Sequence, residues 1–202
     1  MKTQNLELSC EFFPPRTDSG KATLAQTLDD LTAIGPEFFS VTFGAGGSTR
    51  DNTLETVLQI QRDTQVAACP HLTCVGLTNQ QILELVEGYR QQDIDRLVVL
   101  RGDSPSGLIG MGECRYAVDL VRLIREHFAD HFTIAVAAYP EAHPDSKNLS
   151  SEVDLFAQKM QAGADFAITQ YFYNNDSYFH FMELCEKHQI DKPVIPGIMP
   201  TT

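Results

Sequence analysis

Residues that could move a proton or hold an anion stand at the ends of predicted strands. Glu11 lies near the end of the first strand, His71 opens the third, and Arg101 follows the fourth. A carboxyl group and an imidazole can exchange protons, and a guanidinium can bind an anionic ligand. Because charged groups are costly to bury unless they are paired or used, these positions predict either a functional site or internal ion pairs.

Each of these residues also has a purely structural interpretation. Glu11 could pair with Arg101 inside the fold, and His71 could be a hydrogen-bonded core histidine. The glycine-rich run at 44–47 could be a tight turn, since it lacks the full G-x-G-x-x-G spacing of dinucleotide-binding loops. The residue types and their spacing leave both interpretations open.

The elements that would position these residues alternate along the chain. Short β-rich runs are each followed by a helical run, except the last. Apolar residues at i, i+3, i+4 and i+7 indicate the helices, with the polar Gln61 as an exception. Thr78 and Gln81 have the spacing of a capping box at a helix start, and Gly163 is typical of a helix end. Strands are predicted at Leu6–Phe12, Phe38–Phe43, His71–Val75, Arg96–Leu100, Thr133–Ala138, Ala167–Tyr173 and Val194–Pro196.

Alternation within the strands separates two α/β architectures. Strands followed by helices fit either a (β/α)8 barrel or a doubly wound sheet. In the first strand Leu8, Cys10 and Phe12 share one face, whereas Glu11 lies on the other. An open doubly wound sheet is apolar on both faces, while a barrel tolerates polar residues inside, near a ligand. The pattern predicts that residues 1–202 form a single α/β domain, a (β/α)8 TIM barrel that is incomplete, with about seven strands present.

Composition narrows the partners and the compartment. The net charge is −12, and the sequence contains no cluster of Lys or Arg. Because nucleic acids and anionic membranes bind to basic patches, we expect neither as a partner. The first ten residues lack the apolar core of a signal sequence, and no run approaches the roughly 18–20 residues of a membrane span. The five cysteines form no C-x-x-C pair, which fits free thiols in a reducing cytoplasm. His127 and His131 lack the H-E-x-x-H pattern, so no metal site is predicted.

Seven short stretches at or near the strand ends form one ordered set of motifs. They are Glu11–Arg16, Val41–Ala45, Pro70–Cys74, Leu100–Asp103, Ala137–Glu141 with His143–Pro144, Ala162–Asp165 with Ile168–Gln170, and Pro196–Pro200. Any one of them is a weak signal, but together they run from one end of the chain to the other and are very specific. In this order and register they resemble the flavin-dependent methylenetetrahydrofolate reductase family.

The resemblance implies an oxidoreductase of one-carbon and methionine metabolism, built on a (β/α)8 barrel that carries FAD. With NADH or NADPH as electron donor, such an enzyme reduces 5,10-methylenetetrahydrofolate to 5-methyltetrahydrofolate. It implies that Glu11 is the catalytic general acid that opens the five-membered ring of the folate at N10. Desolvation by the neighbouring Phe12, Phe13 and Pro14 would raise the pKa of this carboxyl toward the value that an acid catalyst needs.

The resemblance also implies the binding residues. Lys159 would be a partner of the cofactor phosphates, with Glu152 where the family often has Asp. Asp103 and Gln170 would contact the folate, and Asp103 would disfavour negative charge on the reduced flavin ring. The implied flavin contacts are Thr42, Phe43, Ala45, His71, Arg101, Gly102, Asp103, Ala117, Tyr139 and His143. The implied partners are therefore a folate substrate and a nicotinamide cofactor, and a homo-oligomer stays open.

The sequence departs from the family pattern after the seventh predicted strand, where it stops at Thr202. An eight-stranded barrel would need roughly 60 further residues at about 30 per strand–helix unit. Two alternatives to an active reductase therefore stay open at this point. One is a truncated, non-catalytic barrel remnant of the family, and the other is a flavin barrel that acts on a different heterocycle.

We expect residues 1–202 expressed alone to be poorly stable and catalytically inactive. A barrel removes its sheet edges by closing, so seven strands would leave two edges unpaired. Each large apolar side chain left in water costs about 1.5–3 kcal/mol, and a few such losses approach the roughly 5–15 kcal/mol that keep a domain folded. Light scattering, cooperative unfolding and FAD binding measure this. A monodisperse monomer with a sharp thermal transition and bound FAD would contradict the expectation.

Overall fold

The computed structural model describes the chain over residues 7–43, 47–102, 112–143 and 146–199. Within these ranges strands and helices alternate strictly, as the sequence predicts. The elements are β1 (Ser9–Phe12), α1 (Asp18–Thr32), β2 (Phe38–Val41), α2 (Gly47–Thr64), β3 (Ala67–Thr73), α3 (Asn79–Gln91), β4 (Arg96–Leu100), α4 (Ala117–Phe128), β5 (Thr133–Ala138), α5 (Leu149–Gln161), β6 (Phe166–Thr169), α6 (Asn175–Lys187) and β7 (Val194–Ile195).

The strands form one parallel sheet whose spatial order is the order of the chain. Each strand pairs with its neighbour in sequence, from β1 next to β2 through to β6 next to β7. The helix after each strand returns the chain to the same edge of the sheet, which is the βα unit of parallel sheets. The predicted α/β fold with seven parallel strands is confirmed.

A contact between two phenylalanine rings shows that the sheet curls. Phe38 opens β2 and Phe166 opens β6, so three strands stand between them. In a flat sheet four strand spacings would separate them by about 19 Å, beyond the combined reach of two phenylalanine side chains. Their ring centroids are 5.9 Å apart. The sheet therefore bends around an interior, as in an incomplete TIM barrel.

The two faces of the curled sheet bury different residues. The outer face packs under the helices in one large apolar cluster that includes Phe39, Val41 and Leu72. The inner face holds a small cluster of Phe38, Cys69, Val98 and Ala135. Cys10 and Phe12 lie against the outer cluster, whereas Glu11 is half exposed on the opposite face. The predicted alternation of outward apolar and inward polar residues in β1 is confirmed for its described residues.

Five of the seven predicted strands differ from the structure at one or both ends; β2 ends at Val41 rather than Phe43, and β7 ends at Ile195 rather than Pro196. β3 begins at Ala67 rather than His71, because pairing with β2 brings in small residues that have no β propensity of their own. β6 ends at Thr169 rather than Tyr173, since Phe172 leaves the sheet and stacks on Tyr178 of α6 at 5.1 Å. β1 begins at Ser9, and the predicted strand start at Leu6 lies outside the described residues.

Helix ends follow local chemistry that the sequence displays. Thr78 and Gln81 form the predicted capping box at the start of α3. Gly163 follows the end of α5 with φ of +118°, a backbone region that favours glycine. Gln61, the polar exception in α2, has its side-chain amide 3.5 and 3.4 Å from the carbonyl oxygens of Gln92 and Asp93, at the end of α3.

A charged clamp ties the elements together at the amino edge of the sheet. Arg125 of α4 donates to the carboxylate of Asp165 at 2.6 Å and to the carbonyl oxygen of Gly163 at 2.8 and 2.9 Å. The same carboxylate oxygen accepts from the backbone N–H of Ile134 in β5 at 2.7 Å. Ion pairs that also satisfy backbone groups hold segments in register. No helix in the described ranges has the length and apolar character of a membrane span.

Candidate active site at the carboxyl edge of the sheet

Most of the residues with candidate chemistry lie at or near the carboxyl edge of the sheet. Because the strands are parallel and in register, the loops that follow them all open on this edge. β1 contributes Glu11 and β3 contributes His71. The segments that directly follow β2, β4, β5 and β6 contribute Thr42, Arg101, Tyr139 and Gln170.

Glu11 and His71 meet across β2. His71 Nε2 lies 3.3 Å from Glu11 Oε2. The side chain of His71 is 8% exposed and that of Glu11 is 50% exposed, so the imidazole lies behind the carboxylate. Nε2 is shielded from solvent and makes no hydrogen bond of good geometry within the described chain. The structure therefore pairs Glu11 with a buried histidine whose ring nitrogen has no better partner.

The contact with His71 changes the expected acidity of Glu11. The sequence predicts that apolar neighbours raise the pKa of this carboxyl, and this prediction is wrong for the structure. The hydrogen-bonding and charge effects of His71 outweigh desolvation and hold the pKa of Glu11 below its ordinary value. Phe13 is 77% exposed and gives the carboxyl little cover. In this structure Glu11 is an ionised carboxylate at neutral pH.

A second group of predicted residues surrounds the amino group of Lys159. Lys159 is buried, and its Nζ donates to the carbonyl oxygen of Ala137 at 2.6 Å. The same atom lies 5.7 Å from the ring centroid of Tyr139 and 5.6 Å from that of Phe156, within cation–π range. The ring of Tyr139 in turn meets His143 edge-on at 4.9 Å. Burial lowers the pKa of Lys159 to about 8, against an opposing effect of the Glu152 charge.

Glu152 is held by a residue that the sequence analysis missed. It lies buried in the first turn of α5 and accepts a short hydrogen bond from the hydroxyl of Ser146. Ser146 stands in the loop before α5, where a serine carries no signal that separates it from other loop residues. Thr53 was also missed, and its buried hydroxyl donates to the carbonyl oxygen of Thr42 at 3.0 Å.

The backbone explains the residue types after β4. Gly102 has φ of +86°, and a Cβ there would lie 2.9 Å from the Cβ of Thr73. Only glycine therefore fits this position without displacing β3. The carbonyl oxygen of the preceding Arg101 accepts from the backbone N–H groups of Cys74 and Val75, both at 3.3 Å. These bonds fix the segment in which the chain leaves β4 for the predicted site.

The remaining predicted residues are more dispersed. Phe43 is half-buried just after β2, and Gln170 is exposed just after β6, with its N–H bonded to the carbonyl oxygen of Ala138 at 2.8 Å. Ala117 is the first residue of α4, where a methyl side chain leaves only the backbone N–H as a polar contribution. Ala45 and Asp103, predicted as flavin and folate contacts, lie outside the described residues.

Comparison with known proteins identifies relatives over the whole chain. A family profile described as methylenetetrahydrofolate reductase matches residues 1–202. 5,10-Methylenetetrahydrofolate reductase from Pectobacterium carotovorum is 40% identical over 98% of the chain, and that from Escherichia coli is 42% identical over 98%. Methylenetetrahydrofolate reductase (NADH) 1 from Arabidopsis thaliana is 39% identical over 95% of the chain. The chain spans 65% of the length of the two bacterial relatives and 35% of the plant protein.

Solved structures share the architecture at low sequence identity. A putative lyase/mutase from Burkholderia cenocepacia superposes with a TM-score of 0.67 at 13% identity, covering 99% of this chain and 72% of that protein. A Clostridium thermocellum protein described as binding two copies of 5-methyl-5,6,7,8-tetrahydrofolic acid gives 0.60 at 15% identity, covering 94% and 65%. At such identities the likeness establishes the fold alone.

The buried Lys159 predicts a pH dependence of stability. Its pKa of about 8 in the folded chain lies below the roughly 10.4 of an unfolded lysine. Between these values the unfolded chain binds more protons, so the contribution of Lys159 to the free energy of unfolding rises with pH over this window. Denaturant unfolding from pH 7.5 to 10 measures this as the difference between wild type and Lys159→Met. The exposed Lys147→Met is the control, and equal slopes in wild type and Lys159→Met would contradict the assignment.

Proposed function

The chain belongs to the methylenetetrahydrofolate reductase family, and on that premise we propose that it forms the catalytic barrel of a flavin-dependent reductase. The proposed reaction is the reduction of 5,10-methylenetetrahydrofolate to 5-methyltetrahydrofolate, with NADH or NADPH as the electron donor. The plant relatives named for NADH support the first of these donors. The observation that carries the proposal is Glu11, half exposed at the carboxyl edge and held against the buried His71.

The residues present fit a flavin with a diphosphate. Lys159 carries a buried ammonium whose Nζ donates to the carbonyl oxygen of Ala137, and an ammonium has further N–H groups that a phosphate oxygen can accept. In a chain of net charge −12, Lys159 and Arg101 are cations near the carboxyl edge that could face phosphates. The bound flavin would supply the hydride. The proposed holding residues are Thr42, Phe43, Ala45, His71, Arg101, Gly102, Asp103, Ala117, Tyr139, His143, Glu152 and Lys159.

The proposed roles of the other residues concern the folate. Glu11 delivers a proton to the amine nitrogen N10, so that the bond from N10 to the methylene carbon can break with its electron pair on nitrogen. Gln170 and Asp103 bind the folate. Gln170 is exposed just after β6, at the carboxyl edge of the sheet, and its amide can both donate and accept a hydrogen bond.

The full-length protein carrying this sequence is expected to purify yellow, with non-covalent FAD. The physical reason is the group of Lys159, Tyr139 and His143 at the end of β5, which offers a cation and aromatic rings to a dinucleotide. An absorbance spectrum, followed by chromatography of the flavin released on heating, measures this. FMN in place of FAD, or no flavin after reconstitution, would count against the cofactor assignment.

Glu11→Gln is expected to separate the two half-reactions. Reduction of the flavin by the nicotinamide cofactor needs no proton from the protein, so it should stay nearly intact. Folate reduction needs a proton at N10 and should fall by at least the ~10²-fold typical of a general acid. Stopped-flow measurement of each half-reaction tests this, with the exposed Glu7→Gln as the matched control in the same segment. An equal decrease in the rates of both half-reactions would contradict the role proposed for Glu11.

A further inference from the structure

We propose that Glu11 and His71 share the catalytic proton, with the buried His71 holding it behind the carboxylate that delivers it. The inference rests on the proposed function, in which Glu11 protonates the folate. It assigns His71 a role as a positioning residue for the acid, in addition to its proposed contact with the flavin.

The sheet geometry brings the two side chains together. Glu11 is in register with Ser40 of β2, and Ser40 is in register with Cys69 of β3. His71 lies two residues beyond Cys69 on the same face, and its strand partner Val98 belongs to the inner cluster. The residue between them on β2 is the small, buried Ser40, which leaves room for the contact of 3.3 Å.

Glu11 and His71 differ in solvent exposure, and this difference suits them to different roles. Glu11 is half exposed and can meet a ligand at the carboxyl edge of the curled sheet, whereas the side chain of His71 is 8% exposed and its Nε2 is shielded from solvent. Nε2 has no other good hydrogen bond within the described chain. A proton on this atom therefore has one acceptor within reach, which is Oε2 of Glu11.

The chemistry requires a proton that the carboxylate alone does not hold. An ordinary glutamate is already ionised at neutral pH, and His71 lowers the pKa of Glu11 further, so this carboxylate has no proton of its own to donate. In the proposed step the Nε2–H bond of the imidazolium breaks and an O–H bond forms on Glu11. That O–H bond then breaks as N10 gains the proton and the methylene carbon leaves with the C–N bond pair on nitrogen. Solvent returns a proton to the pair through the exposed carboxylate.

The described neighbours of the pair on the inner face are mostly uncharged. On the inner face β2 offers Ser40, β3 offers Cys69 and Thr73, and β4 offers Val98 and leads into Arg101. Within the described chain, His71 is the one titratable group whose hydrogen bond or charge moves the pKa of Glu11. Asp103, which follows Arg101 by two residues, lies outside the described residues.

The first test is the titration of Glu11 itself, by carbon-13 NMR of its side-chain carboxyl in the full-length protein. In wild type its pKa should lie below the ordinary value. In His71→Asn desolvation acts alone, so the pKa should rise above the ordinary value. His188→Asn, at the C-cap of α6, is the matched control and should leave the titration of Glu11 unchanged. An unchanged titration in His71→Asn would overturn the pairing.

The second test asks whether His71 supplies the proton or only fixes the carboxylate. If it only kept Glu11 ionised, His71→Asn would leave Glu11 protonated at higher pH and speed folate reduction. The proposal expects folate reduction at saturating flavin to fall by about 10²-fold instead. His71→Gln keeps an N–H donor but has no proton to release, so it should be equally slow. A rate equal to or above wild type in either variant would overturn the proposal.

A measurement without a histidine variant guards against misfolding. The nitrogen-15 signal of His71 Nε2 should change when Glu11 is replaced by Gln, because the ring then faces a neutral amide. No change would overturn the pairing.

These results can be distinguished from a failure of the proposed reaction. If Glu11→Gln blocks folate reduction while Glu11 titrates independently of His71, the pair fails and the proposed function survives. If the pair is present while Glu11→Gln reduces folate normally, the proposed function of Glu11 fails, and the shared catalytic proton fails with it.

Discussion

The contact between Phe38 and Phe166 is the constraint on which the geometry of the carboxyl edge depends. Both rings stand at the amino ends of their strands, and their approach to 5.9 Å bends the sheet between β2 and β6. Arg96 lies over the inner cluster to which Phe38 belongs, with its guanidinium 6.0 Å from the ring centroid of Phe38. Since neighbouring strands are rigidly paired, curvature set at one end of the sheet decides which side chains converge at the other. Glu11 and His71 can meet over Ser40 because the strands that carry them face a common interior.

β2 and β5 carry structural residues at their amino ends and candidate chemical residues toward or just beyond their carboxyl ends. On β2, Phe38 lies in the inner cluster, and Ser40, two residues further along the same face, lies under the contact between Glu11 and His71. On β5, the amino end is tied by the clamp of Arg125 and Asp165, and the carboxyl end leads into Tyr139. A βα barrel commonly divides stability from function in this way. The division lets the loops at the carboxyl edge vary while the amino edge holds the curvature.

What the sequence predicted well are features set by local chemistry. Alternation in β1 placed Glu11 on the inner face, and β4 and β5 begin and end at the predicted residues. The capping box of α3 followed from two side chains three residues apart. What it predicted poorly depends on contacts between segments distant in the chain. The pKa of Glu11 was predicted in the wrong direction because its controlling partner lies two strands away, and Ser146 was missed because its role depends on a buried carboxylate in the next helix.

The strict agreement between strand order and chain order has a consequence for how the protein acquires its fold on the ribosome. Every strand after β1 finds its pairing partner already synthesised, so the sheet can grow by one strand–helix unit at a time as the chain emerges. Each of these pairings spans an intervening helix, and parallel pairing between segments so far apart in the chain is slow to form. The contact between Phe38 and Phe166 is different, because Phe38 must wait through four more strands for its partner. Until β6 is translated, Phe38 lacks the ring of Phe166 as its partner across the interior. The curvature that brings Glu11 and His71 together is therefore completed late in synthesis.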